Sequence, residues 1–228
     1  MTDEAPSARP PRVSRFYRLI WKIWKERRFK RFVDTVRPER SGTLLDIGGY
    51  PFNWFRRGEH FSRVDVRNLG PVQPVDPPAG APLVRALSGD GRKLDFPDSS
   101  YDIVFSNSVI EHVGGFPEQK AFAEEARRVG RSLWIQTPAW ECPVEPHFLG
   151  LFIHWLPNRW HARLARWFSF RGLTGASDPS DLRAIAQTTR LLSKREMKLL
   201  FPDCEIWTER MLLILPKSHV AIRKSHGF

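Results

Sequence analysis

The chain has 228 residues, 36 lysines and arginines against 25 aspartates and glutamates, a formal net charge of +11, 41% apolar residues and two cysteines. That length can bury a full core without covalent staples, which excludes a disulfide-framed miniprotein; Cys142 and Cys204 have no second Cys or His at metal-ligand spacing, so no metal site is expected. The polar, proline-rich start lacks the regions of a secretory signal, and the longest nearly apolar run, 148–156, is about half of the ~20 residues a membrane span needs, so a cytoplasmic chain with no transmembrane segment is expected.

The first predicted element carries most of the charge. Between Arg9 and Arg40 stand twelve basic residues and three acids, a local charge of +9. On a helical wheel of about 100° per residue, Val13, Phe16, Tyr17, Leu19, Ile20, Ile23 and Trp24 share one face, with Arg12, Arg15, Arg18, Lys22 and Lys25 opposite. After Lys25-Glu26-Arg27-Arg28 the apolar set Phe29, Phe32, Val33 and Val36 falls on nearly the other side, which predicts a kink or two helices. Residues 1–40 are thus read as a basic amphipathic helical arm. Three uses stay open. The arm packs as a lid with its cations solvated, or residues 12–25 meet an anionic membrane surface peripherally, where aromatic and cationic faces suit the headgroup boundary. A nucleic-acid contact is disfavoured, because no recognised nucleic-acid motif accompanies the arm.

Residues 41–228 alternate strand, loop and helix, the pattern of a parallel sheet covered by helices. Leu44-Leu45-Asp46-Ile47 reads as a strand, followed by Gly48-Gly49-Tyr50-Pro51 and a short helix over 53–57. Paired glycines let the backbone approach a ligand at a strand's carboxyl edge. Pro51 and Phe52 replace the later glycines of the dinucleotide fingerprint, which argues against a nicotinamide enzyme. A second strand, 63–67, ends near Asp65 or Asn68, about 20 residues past the first, the spacing of an acceptor for ribose hydroxyls; both residues stay open. The proline-rich passage 70–82 replaces the helix that would follow. Strand three, 83–87, leads into Ser88-Gly89-Asp90-Gly91-Arg92.

Then comes Leu94-Asp95-Phe96-Pro97, a strand through Tyr101-Asp102-Ile103-Val104-Phe105-Ser106-Asn107, and Glu111-His112-Val113. A helix over 117–129 and a strand over 131–136 continue the alternation. Residues 139–190 interrupt it with Trp140, Phe148, Trp155, Trp160 and Trp167, interleaved with arginines. Such an insertion either roofs a ligand and forms an acceptor pocket or packs its own small core. Ser193 and Glu196 have capping-box spacing for a helix to Phe201. Strands over 205–208 and 219–223 are expected to close the sheet as an antiparallel pair.

The run from Asp90-Gly91 to Glu111-His112-Val113 resembles the class I S-adenosylmethionine-dependent methyltransferases, in their type 11 small-molecule branch. The resemblance covers about residues 43–138, with further similarity through Glu145-Pro146-His147. It implies an α/β fold with a Rossmann-like, doubly wound, seven-stranded and mostly parallel sheet, a helical insertion after strand five, and S-adenosylmethionine as cofactor. The glycine loop departs from the family's Asp-x-Gly-x-Gly-x-Gly pattern. By resemblance, Asp46 and the Gly48-Gly49 backbone hold the methionine end, and Asp65 or Asn68 takes the ribose. Asp90 accepts from the adenine amino group with Gly91 and Arg92 beside the ring, and Ser106 and Asn107 line the sulfonium side. An oxygen or nitrogen acceptor can need a base near neutral pKa, and His112, His147 and Glu145 are the candidates, each with a structural hydrogen bond as the competing role. The expected acceptor is a small molecule, a sugar or a lipid-linked group. A nucleic-acid acceptor is disfavoured, since Ser106-Asn107-Ser108-Val109 lacks the Pro-Pro-aromatic run that grips a flipped base. A non-catalytic cofactor-binding module is the alternative.

Overall fold

A computed structural model of the chain describes residues 12–70, 83–145, 150–151, 155, 188–211 and 214–225. His147, most of the aromatic insertion and most of the proline-rich passage lie outside these. The chain divides into two units, residues 1–37 and 38–228.

In the first unit a single helix, α1 (Arg12–Val36), runs without a break where the switch of apolar face predicts a kink. No proline or glycine falls inside it, so nothing interrupts the backbone ladder from each N–H to the carbonyl four residues earlier. Phe29 and Phe32 sit with ring centroids 5.8 Å apart, and Lys30 pairs with Asp34 one turn on at 3.4 Å. No helix among the described residues is long and apolar enough to cross a membrane.

The second unit is built on a seven-stranded sheet in the order β3-β2-β1-β4-β5-β9-β8. β1 (Thr43–Ile47), β2 (Arg63–Asn68), β3 (Leu83–Ser88), β4 (Tyr101–Asn107) and β5 (Gly130–Pro138) pair in parallel. The closing pair, β8 (Glu205–Met211) and β9 (Leu215–Arg223), is antiparallel. β9 is antiparallel to β5 as well. β1 lies inside the sheet and is buried from Leu44 through Ile47, as a strand covered on both faces must be. Between β5 and β8, β6 (Val144–Glu145) and β7 (Gly150–Leu151) form a small antiparallel pair.

One face of the sheet packs Leu45, Ile47, Val104, Leu133 and Ile135 against two helices, α2 (Phe116–Val129) and α3 (Lys194–Leu200). Phe122, Ala123, Ala126 and Val129 of α2 fall at helical spacing and are fully buried. On the other face Trp54 meets Phe105 edge-on at 5.3 Å and Phe61 at 5.8 Å. The helix expected over 53–57 is a single 3-10 turn, Pro51–Asn53, followed by turns. Pro51 opens it with its fixed φ and cannot donate a hydrogen bond.

The chain leaves β1 toward β2 and β3, then returns to place β4 on the other side of β1. The loops after β1 and β4 therefore diverge, and a crevice opens at the carboxyl edge between them, where open α/β sheets bind ligands.

Candidate functional site

A cleft of about 320 Å³ lies at that edge. Its walls come from the ends of four strands: Gly48 after β1, Arg67 and Asn68 closing β2, Asp90 after β3, and Val109 and His112 after β4. A volume of this order is in the range of small-molecule pockets.

Gly48 takes φ +83, and a Cβ there would lie 2.5 Å from a Val109 methyl, so conformation and space both demand glycine. Its N–H donates to the Arg67 carbonyl at 2.7 Å, which ties the loop to the end of β2. Asp46 does not line the cleft. It is buried beneath Gly49, where it accepts the Trp54 indole N–H at 2.7 Å. Burial pushes its pKa up to about 7, against the opposing pull of that hydrogen bond. Asp46 and Trp54 thus hold the glycine loop from behind.

Register separates Asp65 from Asn68. Asp65 pairs in mid-strand with Leu45 and Arg85 and is completely buried. Its carboxylate accepts two hydrogen bonds from Arg85, at 2.6 and 2.5 Å, and one from the Tyr101 hydroxyl at 2.7 Å, with Arg63 at 3.2 Å. Burial works against the charge, but these partners outweigh it and hold the pKa below the usual carboxylate value. Asp65 is a structural anion, spent on its own sheet. Asn68 lies three residues on, at the strand end and in the cleft wall, and its amide donates to the Gly49 carbonyl at 2.8 Å. That leaves the side-chain carbonyl as an acceptor at the position where ribose hydroxyls are expected.

Asp90 lines the cleft beside Gly91 and Arg92. The Arg92 backbone N–H donates to it at 2.9 Å and the Arg92 guanidinium grips both carboxylate oxygens at 2.7–3.0 Å. These bonds hold the Asp90 pKa below its ordinary value, so it stands ionised with lone pairs to spare. Arg92 also donates to the Val113 carbonyl at 3.1 Å, clasping the loop after β3 to the loop after β4.

Two expected sulfonium-side residues are used elsewhere or sit off the cleft wall. The Ser106 hydroxyl is buried and donates to the Ile47 carbonyl at 2.9 Å, stitching β4 to β1. Asn107 pairs with Gln136 within the sheet and does not line the cleft. Of the base candidates, His112 stands exposed on the lip, with Nδ1 3.3 Å from the Thr189 hydroxyl. Its neighbour Glu111 is fully buried and accepts from the Thr137 hydroxyl at 3.0 Å. The Glu145 backbone lies in β6, and its side chain and His147 are outside what the structure describes.

Arg67 is a charged cleft residue that the sequence pattern does not single out. Its guanidinium pairs with Asp95 at 2.7 Å, lies 5.5 Å over the Phe96 ring and fills the space beside Gly89, where a Cβ would come within 2.0 Å. The available signal was its place beside Asn68 at the end of β2.

Residues 60–132, from the approach to β2 through the start of β5, match the family model described as a methyltransferase domain. A stretch of the chain thus resembles a methyltransferase domain. The chain is 34% identical over 130 residues to an uncharacterized methyltransferase of Mycobacterium avium (strain 104), covering 54% of this chain and 50% of that protein. It is 33% identical over 144 residues to another from Mycobacteroides abscessus, covering 57% of this chain and 51% of that one. The chain thus spans about half the length of the curated relatives it matches. Among solved structures, magnesium protoporphyrin IX methyltransferase from Synechocystis PCC 6803 with bound SAH overlays with a TM-score of 0.54 at 12% identity, covering 96% of this chain and 90% of that one. The PH0226 protein from Pyrococcus horikoshii OT3 gives 0.51 at 14% identity, covering 89% of each. These likenesses show that the chain shares their fold.

Proposed function

We propose that the chain transfers a methyl group from S-adenosylmethionine to a small-molecule, sugar or lipid-linked acceptor. The observation that carries this reading is the cleft at the switch point of the sheet, with a glycine turn at one strand end, an amide carbonyl at the next and an ionised carboxylate at the third. The donor set fits the cofactor. The Gly48 turn lets main chain approach its amino-acid end, the Asn68 carbonyl can accept from ribose hydroxyls, and the Asp90 carboxylate can accept from an adenine amino group.

When bound, the cofactor would supply an electrophilic methyl on sulfonium sulfur, with the sulfur keeping the bonding pair, and an oxygen or nitrogen acceptor taking that methyl would give up a proton. The protein's part is alignment and exclusion of water. His112 stands on the lip where that proton leaves, and its imidazole is the described group suited to take it. Residues 12–25, with cations on one face and aromatics on the other, suit an anionic membrane surface and would hold the domain near a lipid-linked acceptor. Incubation with methyl-labelled cofactor and fractionated lipids, glycolipids and polar metabolites, followed by mass analysis, tests the reading. Label in one fraction that is lost in Asp90→Ala supports it; no transfer and no cofactor binding would sink it.

A further inference from the structure

Among the described residues of the 38–228 unit, eight large apolar side chains are exposed. Six gather at one edge of the sheet. Tyr50 and Phe52 follow β1, Leu69 follows β2 and Trp140 follows β5, all leaving parallel strands at their carboxyl ends. β9 is antiparallel to both β5 and β8, so β8 points the same way as β5 and Ile214, in the β8–β9 hairpin, emerges at that edge too. Trp155 joins them by donating its indole N–H to the Trp140 carbonyl at 2.9 Å. Leu83 and Leu199 lie elsewhere. The cleft opens on this same edge.

The exposures are large, 58% for Phe52 and 70% for Ile214, and they recur across loops from four strands. Tyr50 and Phe52 stack at 5.5 Å, and Trp140 packs on Trp155 at 5.9 Å. Exposed apolar side chains gathered at one edge mark an interaction site, and Trp and Tyr are the side chains that settle at the headgroup level of bilayers. Exposed Arg56 and Arg210 flank these loops, and residues 41–228 carry a formal net charge of +4. Aromatic and aliphatic tips edged by cations complement an anionic lipid surface.

We infer that this edge docks on an anionic bilayer with the cleft mouth turned to the headgroups, so the acceptor is an amphiphile taken from the membrane. Only the acceptor class rests on the proposed methyl transfer; docking stands or falls separately. The test is cosedimentation of the full-length chain with vesicles of phosphatidylcholine mixed with phosphatidylglycerol, and with phosphatidylcholine alone. Wild type partitions to the mixed vesicles, and Phe52→Ser/Ile214→Ser weakens this about tenfold. Calorimetric affinity of that variant for S-adenosylmethionine stays at the wild-type value, which also shows that it is folded. Equal partitioning of variant and wild type would overturn the inference, because the arm alone would then explain it. Failure of wild type to partition would overturn it as well. Vesicle binding by a wild type that binds no cofactor would leave docking standing and remove the methyl-transfer reading.

Discussion

Asp65 and Asn68 show what one strand register decides. Both sit at plausible spacing from β1 for a ribose acceptor, but Asp65 is closed in by Arg85, Arg63 and Tyr101 while Asn68 faces the cleft. Asn68→Ala is expected to weaken S-adenosylmethionine binding by roughly tenfold while costing only about 1 kcal/mol of stability, since it removes an acceptor from the ligand side and one hydrogen bond to the Gly49 carbonyl. Asp65→Asn should do the reverse, costing about 1–3 kcal/mol of stability by weakening the hydrogen bonds that a buried carboxylate accepts from Arg85 and Tyr101, with cofactor affinity of the folded fraction unchanged. Calorimetry and thermal melts on the two variants read both effects; the opposite pattern would return the ribose role to Asp65. The sequence could not make this choice, because Arg85 lies 20 residues along the chain and becomes a neighbour only through the β2–β3 pairing. Asp90 was legible, since its strand end and flanking glycines are local features.

Asp46 carries a pH signature. Its folded pKa is about 7 and its ordinary value 3.8, so between those values the folded chain holds more proton than the unfolded one. Its stabilising contribution is therefore full below about pH 4 and is lost as pH rises through 7. Asp46→Asn keeps an oxygen for the Trp54 indole and has no charge to bury. Relative to wild type, the variant should gain about 1–3 kcal/mol in denaturant unfolding as pH goes from 4 to 8. A stability difference that does not change with pH would show that Asp46 is not buried in this way.

Among the elements, α3 was the most fully legible. Ser193 and Glu196 form the capping box their spacing predicts, with the Ser193 hydroxyl accepting from the Glu196 N–H at 3.2 Å and the Glu196 carboxylate accepting from the Ser193 N–H at 2.9 Å. Ser193→Ala should cost about 1 kcal/mol in denaturant unfolding; no measurable cost would remove the cap from the stability of this corner. Strand alternation likewise reads out the sheet, because buried parallel strands are local apolar runs. α1 went the other way. Its apolar positions rotate around the axis midway, yet backbone hydrogen bonding carries the helix through, since a change of face does not itself break the ladder. What lies in α2 was half visible: the apolar stripe is periodic, whereas buried Gln119 on the same stripe becomes explicable only through its bonds to the Ile110 and Arg190 carbonyls, which fix the turn carrying His112.

At the scale of the whole molecule, the charge and the exposed rings have separate places. Basic residues concentrate in the first 40 positions, and the exposed aromatics of the second unit concentrate on the cleft edge. The cofactor is the central claim, and titration calorimetry with S-adenosylmethionine on wild type and Asp90→Ala tests it most directly. The expected result is saturable one-site binding to wild type, weakened at least tenfold or so in the variant by loss of a charged acceptor. No heat of binding to wild type, or equal affinity in the two proteins, would contradict it.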